Sequence, residues 1–276
     1  MSQLTQHPNF SARKLGKRFG YVPDPPKLRG EKPDRKFNNA LLKTRAGNST
    51  YVDLSDFTTD TNQLRASSCV GNATADAVEV VNAIEGRPRV ELSRLFVYSM
   101  CRALQDLDRD GKGDIDHDEG TWVRLAFCVL QRFGICTEEI WPYDLRRLYR
   151  LPSLKAMREA TGHRIHSYYR ITSTGNTRLD LIIDALRSHH PVVFGTQVTK
   201  EFMKLRSRGP VPRPKGNVFA GGHAMMIIGY VPDGFLIKNS WGPGWGEDGF
   251  CVMAPEYLSW KQSTDFWVPT LGTSFR

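Results

Sequence analysis

Apolar residues recur at helical spacing in the first half of the chain and gather into short continuous runs in the second. Ala73, Ala77, Val80, Val81 and Ile84 predict a helix that begins at about Cys69 and stops at Gly86. A second helix is predicted at about 92–105, with Leu92, Leu95, Phe96, Met100, Ala103 and Leu104 on one face. A third, from about Trp122 to Phe133, is apolar nearly all round, which predicts a buried helix closed by Gly134. A shorter helix is expected at 178–188. The pattern then changes. PVVFGTQV (191–198), HAMMIIGYV (223–231), GFLIKNS (234–240) and GFCVM (249–253) read as strands, with Pro232-Asp233-Gly234 turning the second into the third. Helices first and strands later predict an α+β fold, with a helical lobe over about 55–165 and a sheet lobe over about 166–276. A cleft between two lobes is a natural place for a site.

Residues 1–47 carry neither pattern. Four prolines between Pro23 and Pro33 hold GYVPDPPKLRGEKP extended. This stretch reads as an N-terminal extension to a core at 48–276. Charge sets it apart further. The chain has a formal net charge of +9, and its first 50 residues hold eleven Lys/Arg against three acids. Such a basic arm binds nucleotide or nucleic acid, an anionic membrane or an acidic surface of its own protein, or it is simply a solvated tail. Five cysteines without a C-x-x-C pair favour a reducing compartment over a disulfide framework. There is no apolar run of signal-peptide or membrane-spanning length. The expected setting is a cytoplasm, or export by a route without a recognisable signal.

Candidate chemistry centres on Cys69. A lone cysteine is more often a buried small hydrophobe than a nucleophile. At the first turn of a helix, however, unpaired N–H groups and the helix dipole favour its thiolate. His223 opens an apolar strand and is either a satisfied core histidine or the proton partner that such a nucleophile needs. Asn239 is polar among apolar neighbours on the next strand. From there it reaches the His223 ring and fixes its tautomer. Trp241 would cover the pair and keep water out. Asp106, Asp108, Asp110 and Gly111 follow the first half of an EF-hand loop and Asp114 falls at a further ligand position, but His117 stands at the twelfth position, which needs a bidentate glutamate. The segment reads as an acidic surface insertion, and no metal or cofactor is expected.

LIKNSWGPGWGEDGF resembles the asparagine motif of papain-like cysteine peptidases, and HAMMIIGY resembles their histidine motif. NQLRASSC resembles the family's N-Q-G-S-C-G-S-C, with the step from Gln63 to Cys69 intact. FGICTEEIWPYD resembles a helix end followed by the family's W/Y-P-Y. The resemblance spans roughly 51–270, and G-Y-V-P-D-P-P with D-E-G-[ST] points to a bacterial branch. It implies a two-lobed fold, with a helical lobe, an antiparallel β-barrel-like lobe and the active site in the cleft between them. It implies a Cys69 nucleophile, His223 as acid and base, Asn239 as orienter, and Gln63 with the Cys69 N–H as oxyanion donors. The backbone at Gly120 and Thr121 would pair with an extended peptide. Trp122, Gly195 and Ala224 would line a side-chain pocket, unless Trp122 is plain core.

There are departures. Val70 replaces a tryptophan and Ala66 a cysteine, and a usual disulfide partner falls near Asp118. Only about 50 residues precede the core, so the family's long helical pro-domain is missing. The expected activity is therefore peptide-bond hydrolysis on peptide or protein substrates, with the arm lying in the cleft as an inhibitor that makes the chain a zymogen. Other readings are an acyltransferase or deamidase on the same triad, or an anion-binding protein with a vestigial site. A peptidyl epoxide should label the wild-type chain and fail on Cys69→Ala, as read by intact mass.

Overall fold

A computed structural model of the chain describes residues 19–27, 32–38, 50–106 and 113–271. The helical half holds α1 (Cys69–Ile84), α2 (Arg94–Leu104), α3 (Val123–Arg132) and α4 (Leu154–Ala160). The other half is a seven-stranded antiparallel sheet of β1 (Val52–Asp53), β2 (Ser167–Ile171), β3 (Val192–Val198), β4 (Gly221–Val231), β5 (Gly234–Lys238), β6 (Phe250–Met253) and β7 (Thr264–Thr270). Helix α5 (Gly175–Arg187) and the single turns α6 (Lys200–Met203) and α7 (Pro255–Leu258) connect the strands. The order across the sheet is β2-β7-β3-β4-β5-β6, and β1 pairs with β4 where β3 has ended. The expected α+β arrangement is present, but the sheet stays open and does not close into a barrel.

The helices end where local chemistry ends them. Ser93 caps α2 by accepting from the Phe96 N–H at 3.1 Å. Gly134 follows α3 with φ +84°, a left-handed stop that suits glycine, and its N–H bonds back to Val129 O. Helix α3 is not buried all round as its composition predicts. Val123, Ala126, Phe127, Val129 and Leu130 are buried, while Arg124, Leu125, Cys128 and Gln131 form a half-covered face. The fully enclosed helix is α1, buried continuously from Cys69 to Asn82 although it carries Asn72, Asp76 and Glu79. Helix α5 begins three residues earlier than the apolar spacing implies, at Gly175.

Three elements carry no clear signal in the sequence. Strand β2 (SYYRI) is half-buried along its middle, and β7 contains Pro269, which argues against a central strand. Helix α4 spans only two turns. Its Ser153 cap accepts from the Ala156 N–H at 3.2 Å. The acidic 107–112 stretch of the EF-hand-like segment lies outside the described residues. Among the described residues no cluster of metal-ligating side chains is found, and no helix is long and apolar enough to cross a membrane. All five cysteines are free thiols.

The polar side chains inside α1 meet one another. Arg94 of α2 holds Asp76 and Glu79, each at 2.9 Å, and Lys238 at the end of β5 holds the other Asp76 oxygen at 3.0 Å. Glu79 also accepts the Leu92 N–H at 2.7 Å. Removing one partner of a buried ion pair strands the other and costs about 3 kcal/mol or more. Arg94→Ala should therefore lose about 3 kcal/mol in urea unfolding, with a lower midpoint and an unchanged slope.

Candidate active site

Cys69 is the first residue of α1 and is fully buried. Its sulfur accepts the Ala224 N–H at 3.4 Å, which brings the helix start onto the strand residue that follows His223. The turn before it is held from several sides. Ser68 Oγ meets the Tyr143 hydroxyl at 2.5 Å, and that hydroxyl donates to Gln63 O at 2.9 Å. Asn72 Nδ2 donates to Ser68 O at 3.0 Å. The Ser67 N–H donates to Asp118 Oδ1 at 2.9 Å, and the same oxygen takes the Tyr98 hydroxyl at 2.7 Å. A carboxylate thus ties the two loops that a disulfide would otherwise join.

His223 and Asn239 are in contact. Nε2 of His223 lies 2.7 Å from Asn239 Oδ1. That oxygen also accepts the Ser240 N–H at 2.8 Å, which fixes the amide orientation and requires Nε2 to be the donor. Asn239 lies one residue beyond the end of β5, not within a strand as the sequence suggests. The Trp241 ring stacks on His223 with centroids 4.4 Å apart, as a cover for the pair would. Gln63 is fully buried. Its Oε1 accepts from Ser240 Oγ at 2.7 Å, and its amide nitrogen donates to Ala66 O at 2.8 Å.

The expected substrate-facing residues behave differently from one another. Thr121 pairs with extended chain, donating to Gly20 O at 2.9 Å and accepting from the Val22 N–H at 3.0 Å. Gly120 does not pair. Its N–H goes to the Tyr98 hydroxyl at 3.1 Å, and its carbonyl takes Gln105 Nε2 at 2.8 Å. Gly120 contributes room instead, since a Cβ there would lie 2.2 Å from Gly20 O. Gly195 lies against the Tyr21 ring, where a Cβ would come within 2.0 Å of it. Ala224 is buried beside Cys69, and Trp122 is half-buried at the start of α3.

The extended chain in this groove is the protein's own residues 19–24. Phe19 stands edge-on to His223 and Trp241, with centroids 6.4 and 6.2 Å away. At Gly20 a Cβ would lie 1.7 Å from Ser67 O, so no other residue passes over the turn before Cys69 without moving it. The Tyr21 N–H donates to Gly222 O at 3.3 Å. Burial pushes the Cys69 thiol up to about 11, outweighing the opposing N–H groups of Ala224, Gly20, Val70 and Cys69 itself. Cover thus pushes the sulfur toward the thiol, against the thiolate that its helix position favours.

A cluster of charges pins the arm beyond the groove, and the sequence gives little sign of it. Asp24 accepts the Arg124 N–H at 3.0 Å and Trp267 Nε1 at 2.8 Å. Its own N–H donates to Asp265 Oδ2 at 2.8 Å. Arg170 bonds Asp265 on the core side and Asp34 of the arm at 3.1 Å. Burial, then the neighbouring Asp265 carboxylate, push Asp24 up to about 7 against the Arg124 N–H, Arg170 and Trp267. Farther along, the Phe37 N–H and Arg35 O bond to the backbone of Arg170, so the arm also covers the outer edge of β2. Two of its cations are spent on the protein itself, Lys27 on Asp34 at 3.0 Å and Arg35 on Ser167 Oγ at 2.8 Å.

The profile of the family described as "Papain family cysteine protease" matches residues 51–263. An uncharacterised peptidase C1-like protein of Acanthamoeba polyphaga mimivirus is 29% identical, over 92% of this chain and 87% of its own length. Papain of Carica papaya is 28% identical, over 63% of this chain but only 46% of its own length. Among solved structures, xylellain, a cysteine protease from Xylella fastidiosa, superposes with a TM-score of 0.76 at 28% identity, covering 94% of this chain and 97% of its own. With this fold and these relatives, the chain belongs to the papain family and is a cysteine peptidase, a hydrolase with a papain-like α+β fold.

Proposed function

We propose that the chain is an endopeptidase held latent by its own N-terminal arm, with Cys69, His223, Asn239 and Gln63 as its catalytic set. The observation that carries this reading is the 2.7 Å contact of His223 Nε2 with Asn239 Oδ1, beside a helix start whose first residue is Cys69. With Nε2 committed to Asn239, Nδ1 is the nitrogen that exchanges a proton with the sulfur. The Cys69 thiolate attacks the scissile carbonyl carbon, and the His223 imidazolium protonates the departing amine. Water, deprotonated by His223, then opens the thioester. The developing oxyanion is met by the Cys69 N–H and the Gln63 amide, which Ser240 holds at 2.7 Å.

Latency follows from coverage. Phe19 shields His223, Gly20 passes over the sulfur and Tyr21 fills the pocket over Gly195. A thiol pushed up to about 11 by burial is a poor nucleophile at neutral pH. Displacing the arm restores water and leaves the N–H groups of the helix start to favour the thiolate. The substrate is an extended peptide that takes the place of residues 19–22 along Thr121 and Gly222.

The full-length Gly20→Ala variant tests the latency, because its Cβ has no room under Ser67 O. It should hydrolyse a peptide substrate, and react with a peptidyl epoxide, at least about tenfold faster than wild type. That corresponds to roughly 1.4 kcal/mol of lost arm binding. Equal rates would refute the inhibitory role.

Protonation should tune the same equilibrium. Asp24 is raised from an ordinary carboxylate value to about 7 when the arm is bound, so the bound arm prefers Asp24 protonated. The arm is held best at low pH, loosens as pH climbs from about 4 to about 7, and changes little above that. Relative to Asp24→Asn, the wild-type rate of Cys69 labelling should rise across that window. A constant ratio between the two would exclude the linkage.

A further inference from the structure

We propose that Asp265 makes this peptidase select a tyrosine side chain for the pocket over Gly195, by accepting the phenol hydroxyl at the pocket floor. The inference rests on the reading that the arm occupies the peptide groove, and it adds which side chain that groove prefers.

The arm supplies a direct view of a fitted occupant. Tyr21 is only 7% exposed. Its ring lies on Gly195, and its hydroxyl ends 2.5 Å from Asp265 Oδ2 and 2.6 Å from Thr264 Oγ1. Both partners belong to the core, so the floor remains when Tyr21 leaves. The backbone is bent to present Asp265. The register between β3 and β7 shifts between Val193 and Gly195, and Asp265 has φ +53°, a left-handed conformation that non-glycine residues seldom adopt. A bulge of this kind next to an active site re-aims a side chain.

The charge at the floor decides among possible occupants. Arg170 already bonds the other oxygen of Asp265, so the carboxylate has its counter-ion. An incoming Arg or Lys would bring a second cation to a pair that is already balanced. A Phe would fill the same ring space and leave the buried Oδ2 without its donor, and a site built around a hydroxyl discriminates strongly against the analogue lacking it. A phenol is neutral, flat and tipped with one donor, and it satisfies each requirement. The Asp24 N–H, which also bonds Oδ2 at 2.8 Å, departs with the arm and leaves that oxygen to the substrate.

The test uses three peptidyl epoxides identical except for Tyr, Phe or Arg at the residue entering this pocket. Labelling rates at Cys69 are read by mass spectrometry on full-length Gly20→Ala and on wild type. The Tyr probe should react at least about tenfold faster than the Phe and Arg probes. Adding Asp265→Gly, which tolerates a left-handed backbone and removes the acceptor, should bring the Tyr-to-Phe ratio to near one. Equal rates for Tyr and Phe with Asp265 intact, a faster Arg probe, no labelling by the Tyr probe, or a ratio that survives Asp265→Gly would each overturn the proposal. Failure of the arm reading shows separately, as no common acceleration of the three probes by Gly20→Ala. The ratio on wild type judges Asp265 even then.

Discussion

One buried carboxylate ties the elements of the candidate site together. Asp76 lies on α1 two turns after Cys69, and it bonds both Arg94 of α2 and Lys238 at the end of β5. Lys238 is followed immediately by Asn239, whose side chain holds the His223 ring. The ion pair therefore fixes the helix that starts with the sulfur against the strand end that orients the imidazole. Desolvating three charges costs about as much as their attraction returns, so the gain lies in register more than in stability. A helix held only by apolar contacts is free to slide by fractions of an ångström. Such displacements matter for the proposed proton exchange between the Cys69 sulfur and the His223 ring.

Around that frame two opposing electrostatic effects act on Cys69. The start of α1 and the Ala224 N–H supply donors that favour a thiolate. The arm removes water and favours the thiol, and with the arm bound desolvation wins. On the proposed latency, release of the arm would act on the nucleophile by returning solvent to these donors.

Much of this was legible in the sequence because it rests on local rules. The Cys69 helix, the hairpin through Pro232-Asp233 and the buried run at 191–198 follow from periodicity and turn chemistry. Cys69 stood out by its place at a helix start, His223 and Asn239 by polarity in apolar surroundings, and Gln63 by resemblance to a family motif. What was hidden depends on partners distant in sequence. Strand β7 is central because β2 and β3 flank it, and no local preference announces that for a segment containing Pro269. Helix α3 looks buried from its composition, yet one of its faces stays half-covered, with Arg124 bonded to the arm and Gln131 to His166 O. Gly120 gives up its backbone groups to Tyr98 and Gln105, a commitment visible only in three dimensions. Asp265 likewise reads as one more polar residue until its bulge turns it toward Tyr21.

The arm is attached at two separate places, in the groove through residues 19–24 and along the edge of β2 through residues 35–37. A segment that lets go at one place while anchored at the other does not diffuse away. It stays at an effective concentration set by the length of chain that tethers it. On the proposed latency, a free peptide substrate would compete against a rival whose local abundance is unaffected by dilution of the protein. Severing the chain between the two anchors would make the same contacts bimolecular, and at ordinary protein concentrations the groove would then empty with no change in any contact within it.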